Sequence, residues 1–122
     1  MKYLCLAYEE ESTLSDLSED EWRALRAETL AYVEALRSSG HLLEARPLQS
    51  ATQASMVRVR DGAITVTDGP FAETKEQIGG YFLIEADGFD EALRIAAGWP
   101  SARIGSIEVR PVLEELGAEK RY

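Results

Sequence analysis

Between Thr67 and Gly80 the chain carries four ionisable side chains, Asp68, Glu73, Lys75 and Glu76, in a segment bounded by Gly69-Pro70 and Gly79-Gly80. Gly-Pro breaks a strand, and paired glycines give permissive backbone before the next one. Loops held between rigid strands are where binding and catalytic groups concentrate. Clustered carboxylates suit proton transfer, because desolvating one of them raises its pKa toward the range a general acid or base needs. Asp68, Glu73 and Glu76 are therefore the candidate acid/base residues. Arg58, Phe71, Lys75 and Tyr81 are the candidate ligand contacts, with Phe71 as an anchor and Arg58 able to clamp a carboxylate or phosphate through two hydrogen bonds.

Each of these residues has a plainer reading. Asp68 can accept backbone N–H groups in an Asx turn that fixes the Gly-Pro bend. Lys75 can pair with Glu73 or Glu76 at the surface, where such pairs contribute about 0–1 kcal/mol. Arg58 and Arg60 can pair across an interface, and Trp22, Trp99, Tyr81 and Phe82 can belong to the core or an interface. His41, just past a helix end, complements the dipole when protonated. Cys5, inside an apolar strand, reads as a small buried hydrophobe.

Composition narrows the chemistry. With 122 residues the chain is one domain, and 22 Asp+Glu against 13 Lys+Arg give a net charge of −9. That balance argues against direct nucleic-acid binding, which needs clustered Lys and Arg. One cysteine and one histidine exclude an internal disulfide, a Cys-based zinc cluster and a His-rich metal site. No glycine-rich nucleotide turn follows a strand, so neither metal nor cofactor is expected. The acidity is concentrated in Glu9, Glu10, Glu11, Asp16, Glu19, Asp20 and Glu21. This reads as a solvated loop entering a helix whose positive end favours carboxylates, with a cation or basic partner as the alternative. The apolar run near the N-terminus is too short for a signal segment or a membrane span, so the expected location is cytoplasmic.

The flanking elements must position the loop. Residues 3–8 are apolar at every position, which predicts a central strand covered on both faces. Ser18-Glu19-Asp20-Glu21 reads as a capping box opening a long helix. Trp22, Leu25, Thr29, Tyr32, Val33 and Leu36 form its apolar face, and Gly40 stops it. Residues 41–48 are an edge strand or extended connection because of Pro47. Residues 55–60 and 63–67 flank Asp61-Gly62, the preferred pair for a type I′ hairpin. That turn pairs Val59 with Ile64 and Val57 with Val66 on a face expected to pack inward, leaving Arg58, Arg60, Thr65 and Thr67 outside.

Residues 80–85 form a second strand apolar on both faces. Asp87 is expected to cap a second helix through Phe89, Ala92, Leu93, Ala96 and Ala97, which Gly98 and Pro100 end. Residues 104–112 are the last strand, and Glu114–Tyr122 a loose polar tail. The order is βαββαβ with an added β-hairpin, a ferredoxin-like α+β pattern. Two helices cover one sheet face only, and no spare element remains for the other. A second copy stacking sheet on sheet is the simplest cover, so the chain is expected to be a homodimer.

The run Asp68-Gly69-Pro70-Phe71-Ala72-Glu73-Thr74-Lys75-Glu76 resembles the signature of the DGPF-type branch of the YCII-related proteins. Val57 to Gly62, Gly79 to Phe82 and Gly105 to Pro111 extend the resemblance over nearly the whole chain. It implies a ferredoxin-like fold paired into a dimeric α/β barrel. The wider group is associated with enzymatic action through a His–Asp pair at the first helix. Here residues 18–39 contain no histidine, and Asp20 is their only aspartate, so that pair is not carried over. DGPF-type domains also occur beside extracytoplasmic-function sigma factors, which implies sigma-factor-linked regulation. Two function classes follow. One is a dimeric small-molecule-binding or sensor/regulatory module with a cleft near the Asp68–Glu76 loop. The other is a lyase, isomerase or hydrolase using Asp68, Glu73 or Glu76 as acid/base. The first is favoured, since no nucleophile–base pair or metal set is evident.

Overall fold

The doubly apolar strand sits in the middle of its sheet, as its composition requires. In the computed structural model, which describes residues 1–115, β1 (Lys2–Glu9) is followed by a short α1 (Glu11–Ser15) and the long α2 (Glu19–Ser38). Then come β2 (Leu42–Pro47), the hairpin strands β3 (Ser55–Arg60) and β4 (Ala63–Asp68), β5 (Gln77–Glu85), α3 (Phe89–Gly98) and β6 (Ser106–Pro111). The main sheet has the order β2-β5-β1-β6 with every pairing antiparallel, and β3-β4 is a separate two-stranded ribbon. This is a mixed α+β architecture consistent with a ferredoxin-like fold carrying an inserted hairpin.

Strand alternation sends Tyr3, Cys5, Phe82 and Ile84 into the core beneath α2 and α3, where Leu36, Ala92, Ile95 and Trp99 meet them. Phe82 and Trp99 stack at 3.9 Å between ring centroids, and Tyr32 meets Trp99 edge-on at 6.0 Å. Burial pushes the Cys5 thiol up to about 12, which keeps it protonated and unreactive. On the opposite face Leu4, Leu6, Tyr81 and Leu83 stay half-buried. In register beside them lie Glu44 and Arg46 at one edge, and Glu108 and Arg110 at the other.

The α2 N-terminus matches its sequence signature. Ser18 Oγ accepts from Glu21 N at 3.1 Å, and Ser18 N donates to Glu21 Oε1 at 3.0 Å. Ser18→Ala is expected to cost about 1 kcal/mol, read as a lowered unfolding midpoint in urea. Gly40 (φ 81) ends the helix, and Asp61 (φ 51) with Gly62 (φ 78) make the I′ turn. The ribbon register pairs Val57 with Val66 and Val59 with Ile64.

Three expectations need correction. Asp87 is not the cap of α3: Gly88 holds that position without a side-chain bond, while Asp87 N donates to Glu91 Oε1 at 3.1 Å. Within the acidic run, Glu11 to Ser15 is a helical turn rather than loop. The valine face of the ribbon does not pack inward: Val57, Val59, Ile64 and Val66 are all exposed. The polar tail falls outside the described residues from 116 onward.

Candidate functional site

A bulge in the central pairing decides where the chemistry collects. The β1–β5 register runs Ala7 with Gly80 and then Tyr8 with Ile78, so Gly79 is the extra residue. Bulges bend a strand and re-aim side chains near its end. Glu9, the last residue of β1, takes the freed space. A Cβ built on Gly79 would stand 1.9 Å from Glu9 Oε1, so only glycine lets the carboxyl lie there.

Glu9 faces a cavity of about 580 Å³ between α2 and the sheet. Burial falls along α2 from its C-terminus toward its N-terminus, where the cavity opens. Leu36 near its C-terminus is buried, Val33 and Tyr32 are half-buried, and Trp22 near its N-terminus is 45 % exposed. The walls are Trp22, Leu25, Thr29, Arg26 and Arg37 from the helix. Phe82 and Trp99 reach the floor. Tyr32 ties α2 to α3 by donating to the Ile95 carbonyl at 2.6 Å, its hydroxyl filling the place where Gly98 lacks a Cβ. Arg26 lies 5.5 Å from the Trp22 ring, a cation–π distance. Arg103 grips Glu28 with two bonds of 2.8 and 2.7 Å, tying the middle of α2 to the turn after α3.

The electrostatics separate two neighbouring carboxyls. Partial burial raises the Glu9 pKa above its ordinary value, and the negative charge of Glu11 raises it further. Glu11 is held low, first by the Ala51 N–H at 2.7 Å and then by the Ser50 hydroxyl at 2.8 Å. Carboxyls whose surroundings push their pKa values apart have the arrangement used for acid and base roles. Sequence reasoning passed over Glu9 because it heads an acidic run that reads as a solvated loop. The Gly79-Gly80 pair after the loop was the available signal, since one glycine of such a pair commonly marks a bulge or close approach within a strand.

The expected site residues are dispersed. Phe71 and Glu76 line a second cavity of about 610 Å³, with Tyr8, Met56, Pro70 and Ile78. Asp68, Glu73 and Lys75 are exposed and line neither cavity. Arg58 is half-buried on the ribbon beside Thr65 and also lines neither. Tyr81 borders the helix–sheet cavity, but its side chain lies on the opposite sheet face, where its hydroxyl donates to Glu44 Oε1 at 3.1 Å. The loop keeps its shape through Gln77, whose amide donates to the Ala72 and Thr74 carbonyls at 2.7 and 3.0 Å. His41 Nδ1 lies 2.9 Å from the Glu85 carbonyl oxygen and 3.7 Å from the Glu91 carboxylate. Among the described residues no three His, Cys, Asp or Glu side chains come together as metal ligands. Nor is any described helix long and apolar enough to cross a membrane.

The model of the YCII-related domain matches residues 1–115. The chain belongs to the YCII-related family. An uncharacterised protein of Rhizobium meliloti (strain 1021) is 42 % identical over 118 residues, covering 92 % of each chain. Among solved structures, the chain resembles 5-chloro-2-hydroxyhydroquinone dehydrochlorinase from Burkholderia phenoliruptrix AC1100, in complex with 2,5-dihydroxybenzoquinone. The TM-score is 0.58 at 17 % identity, over 94 % of this chain and 96 % of that one. At that identity the likeness shows a shared fold alone.

Proposed function

We propose that this YCII-related chain binds a small, planar, oxygen-bearing molecule in the helix–sheet cavity and carries out lyase-type acid–base chemistry there, with Glu9 as the proton carrier. One observation carries the reading: the Glu9 carboxyl lies over Gly79 at the cavity, its pKa raised, while Glu11 two residues on is held ionised. As a carboxylate Glu9 accepts a proton from the ligand, and as a carboxylic acid it returns one to a leaving group or a developing enol. Arg26 and Arg37 supply positive charge for an oxyanion, and Trp22 supplies an aromatic wall. The fold-level likeness to a dehydrochlorinase in complex with a dihydroxybenzoquinone supports that ligand class.

The working unit in this proposal is a homodimer. Leu4, Leu6, Tyr81 and Leu83 form a half-buried apolar face with an acid–base pair of residues at each edge. A two-fold stack of such faces sets like surface on like surface and closes a dimeric α/β barrel. Within the family, the Asp68–Glu76 run favours the DGPF-type branch. A second reading, a sensor or regulatory module with its ligand beside that loop, is favoured by the 610 Å³ cavity under Phe71 and Glu76.

Thermal-shift titration with 2,5-dihydroxybenzoquinone separates the readings. The wild type is expected to gain Tm on adding the quinone, and Trp22→Ala to lose most of that gain. A gain that survives Trp22→Ala but vanishes in Asp68→Asn or Phe71→Ala would move the site to the loop. Glu9→Gln is expected to keep binding while lowering turnover of chlorinated hydroxyhydroquinones by about 10²–10⁴-fold. The same variant has a signature in stability. A carboxyl whose pKa is raised by folding contributes stability that is complete below its unfolded pKa and lost as pH rises through the folded value. Relative to wild type, Glu9→Gln should therefore gain stability between acidic and neutral pH, measured as Tm across that range.

A further inference from the structure

The β3–β4 ribbon turns its apolar face away from its own chain. Met56, which lines the loop cavity, shares a face with Arg58, Thr65 and Thr67, and both Met56 and Arg58 are half-buried. That polar face therefore looks toward the body of the molecule. Val57, Val59, Ile64 and Val66 point the other way, exposed by 56–73 %. Phe71 at the foot of the ribbon is 78 % exposed. Four β-branched side chains on one face of a two-stranded ribbon form a contiguous apolar surface, and such surfaces mark interaction sites. A bare two-stranded ribbon is also marginal in water without something to pack against.

We infer that the ribbon is a dimerisation arm whose Val57, Val59, Ile64 and Val66 face seats on a second copy of this chain. The inference rests on the two-fold pairing proposed above and adds to it a second, separate contact. Area is the first argument for a second copy as the occupant. Six-residue strands at about 3.3 Å per residue and about 4.8 Å apart give the ribbon a face of roughly 20 by 10 Å, and the open sheet face roughly 20 by 20 Å. Neither alone approaches the roughly 800 Å² per partner of a stable interface, whereas the two together come near it once side-chain relief is counted. Among the described residues both surfaces are unpartnered, and one two-fold axis supplies each with cover reciprocally.

Charge is the second argument. Arg58 and Arg60 balance Asp61 and Asp68, so the ribbon is neutral while the rest of the chain carries a large net negative charge. A neutral arm with an uncharged valine face meets an acidic second copy without the repulsion that two acidic surfaces would suffer. The arm also bears on the loop cavity. Met56 on the ribbon and Phe71 at its foot both line that cavity, so seating the arm fixes one of its walls.

Light scattering on the full chain at micromolar concentration tests this, comparing wild type, Val59→Glu/Ile64→Glu and Thr65→Glu. The wild type is expected at twice 13.5 kDa. The apolar-face double variant should dimerise on the order of 100-fold more weakly, and the opposite-face variant normally. A double variant as dimeric as wild type would overturn the arm and leave the sheet pairing standing. A monomeric wild type would overturn both. Hydrogen exchange gives a readout without substitution: amides of β3 and β4 should lose protection on dilution in step with dimer dissociation. Protection that does not change with concentration, in a range where the mass halves, would also overturn the arm.

Discussion

Phe82→Ala is expected to cost the fold about 3–5 kcal/mol, the range for emptying a well-packed aromatic site. In a chain of this length that lowers the Tm by on the order of 10–20 °C. The ring is 1 % exposed on a central strand, stacked on Trp99 at an interplanar angle of 7°. Trp99 in turn meets Tyr32, whose hydroxyl is committed to the Ile95 carbonyl. Removing Phe82 thus strips one side of the stack that joins sheet, α2 and α3, and backbone at the centre of a four-stranded sheet has little freedom to collapse into the gap. Urea unfolding followed by circular dichroism reads the loss. A cost below about 1.5 kcal/mol would mean that the neighbouring side chains close the cavity by themselves.

Gly79→Ala is expected to do the opposite, sparing the fold and disabling the site. The new methyl meets Glu9 Oε1 at 1.9 Å, but that atom is the far end of a flexible side chain and can swing aside. The bulge survives, and Tm should change by only a few degrees. Glu9 is driven from its place over the bulge, toward solvent, where its titration returns toward that of an ordinary carboxylate. Turnover should fall by about 10²–10⁴-fold, as in Glu9→Gln, and the excess stability at acidic pH should disappear with it. Near-wild-type turnover in a folded Gly79→Ala protein would exclude Glu9 at this position as the proton carrier. Gly105→Ala makes a useful contrast. Its Cβ would stand 2.2 Å from the Tyr8 carbonyl oxygen, and backbone cannot step aside as a carboxyl can.

Much of the fold was legible because the relevant signals are local. The Ser18–Glu21 capping box, the Asp61-Gly62 turn and the apolar runs of β1 and β5 each name an element from a few adjacent residues. The order of those elements then leaves few ways to pair the strands. The site was less legible because its key geometry is not local. Glu9 gains meaning only from a glycine seventy residues away, and from a loss of burial toward the start of α2 that no periodicity records. The ribbon was misjudged for a related reason. Alternation correctly separated the valine face from the arginine face, yet it cannot say which of them looks at the rest of the chain. That depends on Met56 meeting the loop cavity.

The two tryptophans give the molecule optical reporters at two depths of one cavity. Trp99, 9 % exposed, stacked on Phe82 and reaching the cavity floor, should emit toward the blue and report the packing of the core there. Trp22, 45 % exposed under the Arg26 guanidinium at the cavity mouth, should emit toward the red and respond to whatever enters. Quinones quench indoles efficiently at short range, so a ligand held at the mouth should dim the red part of the emission band, and one that reaches the floor should dim the blue part as well.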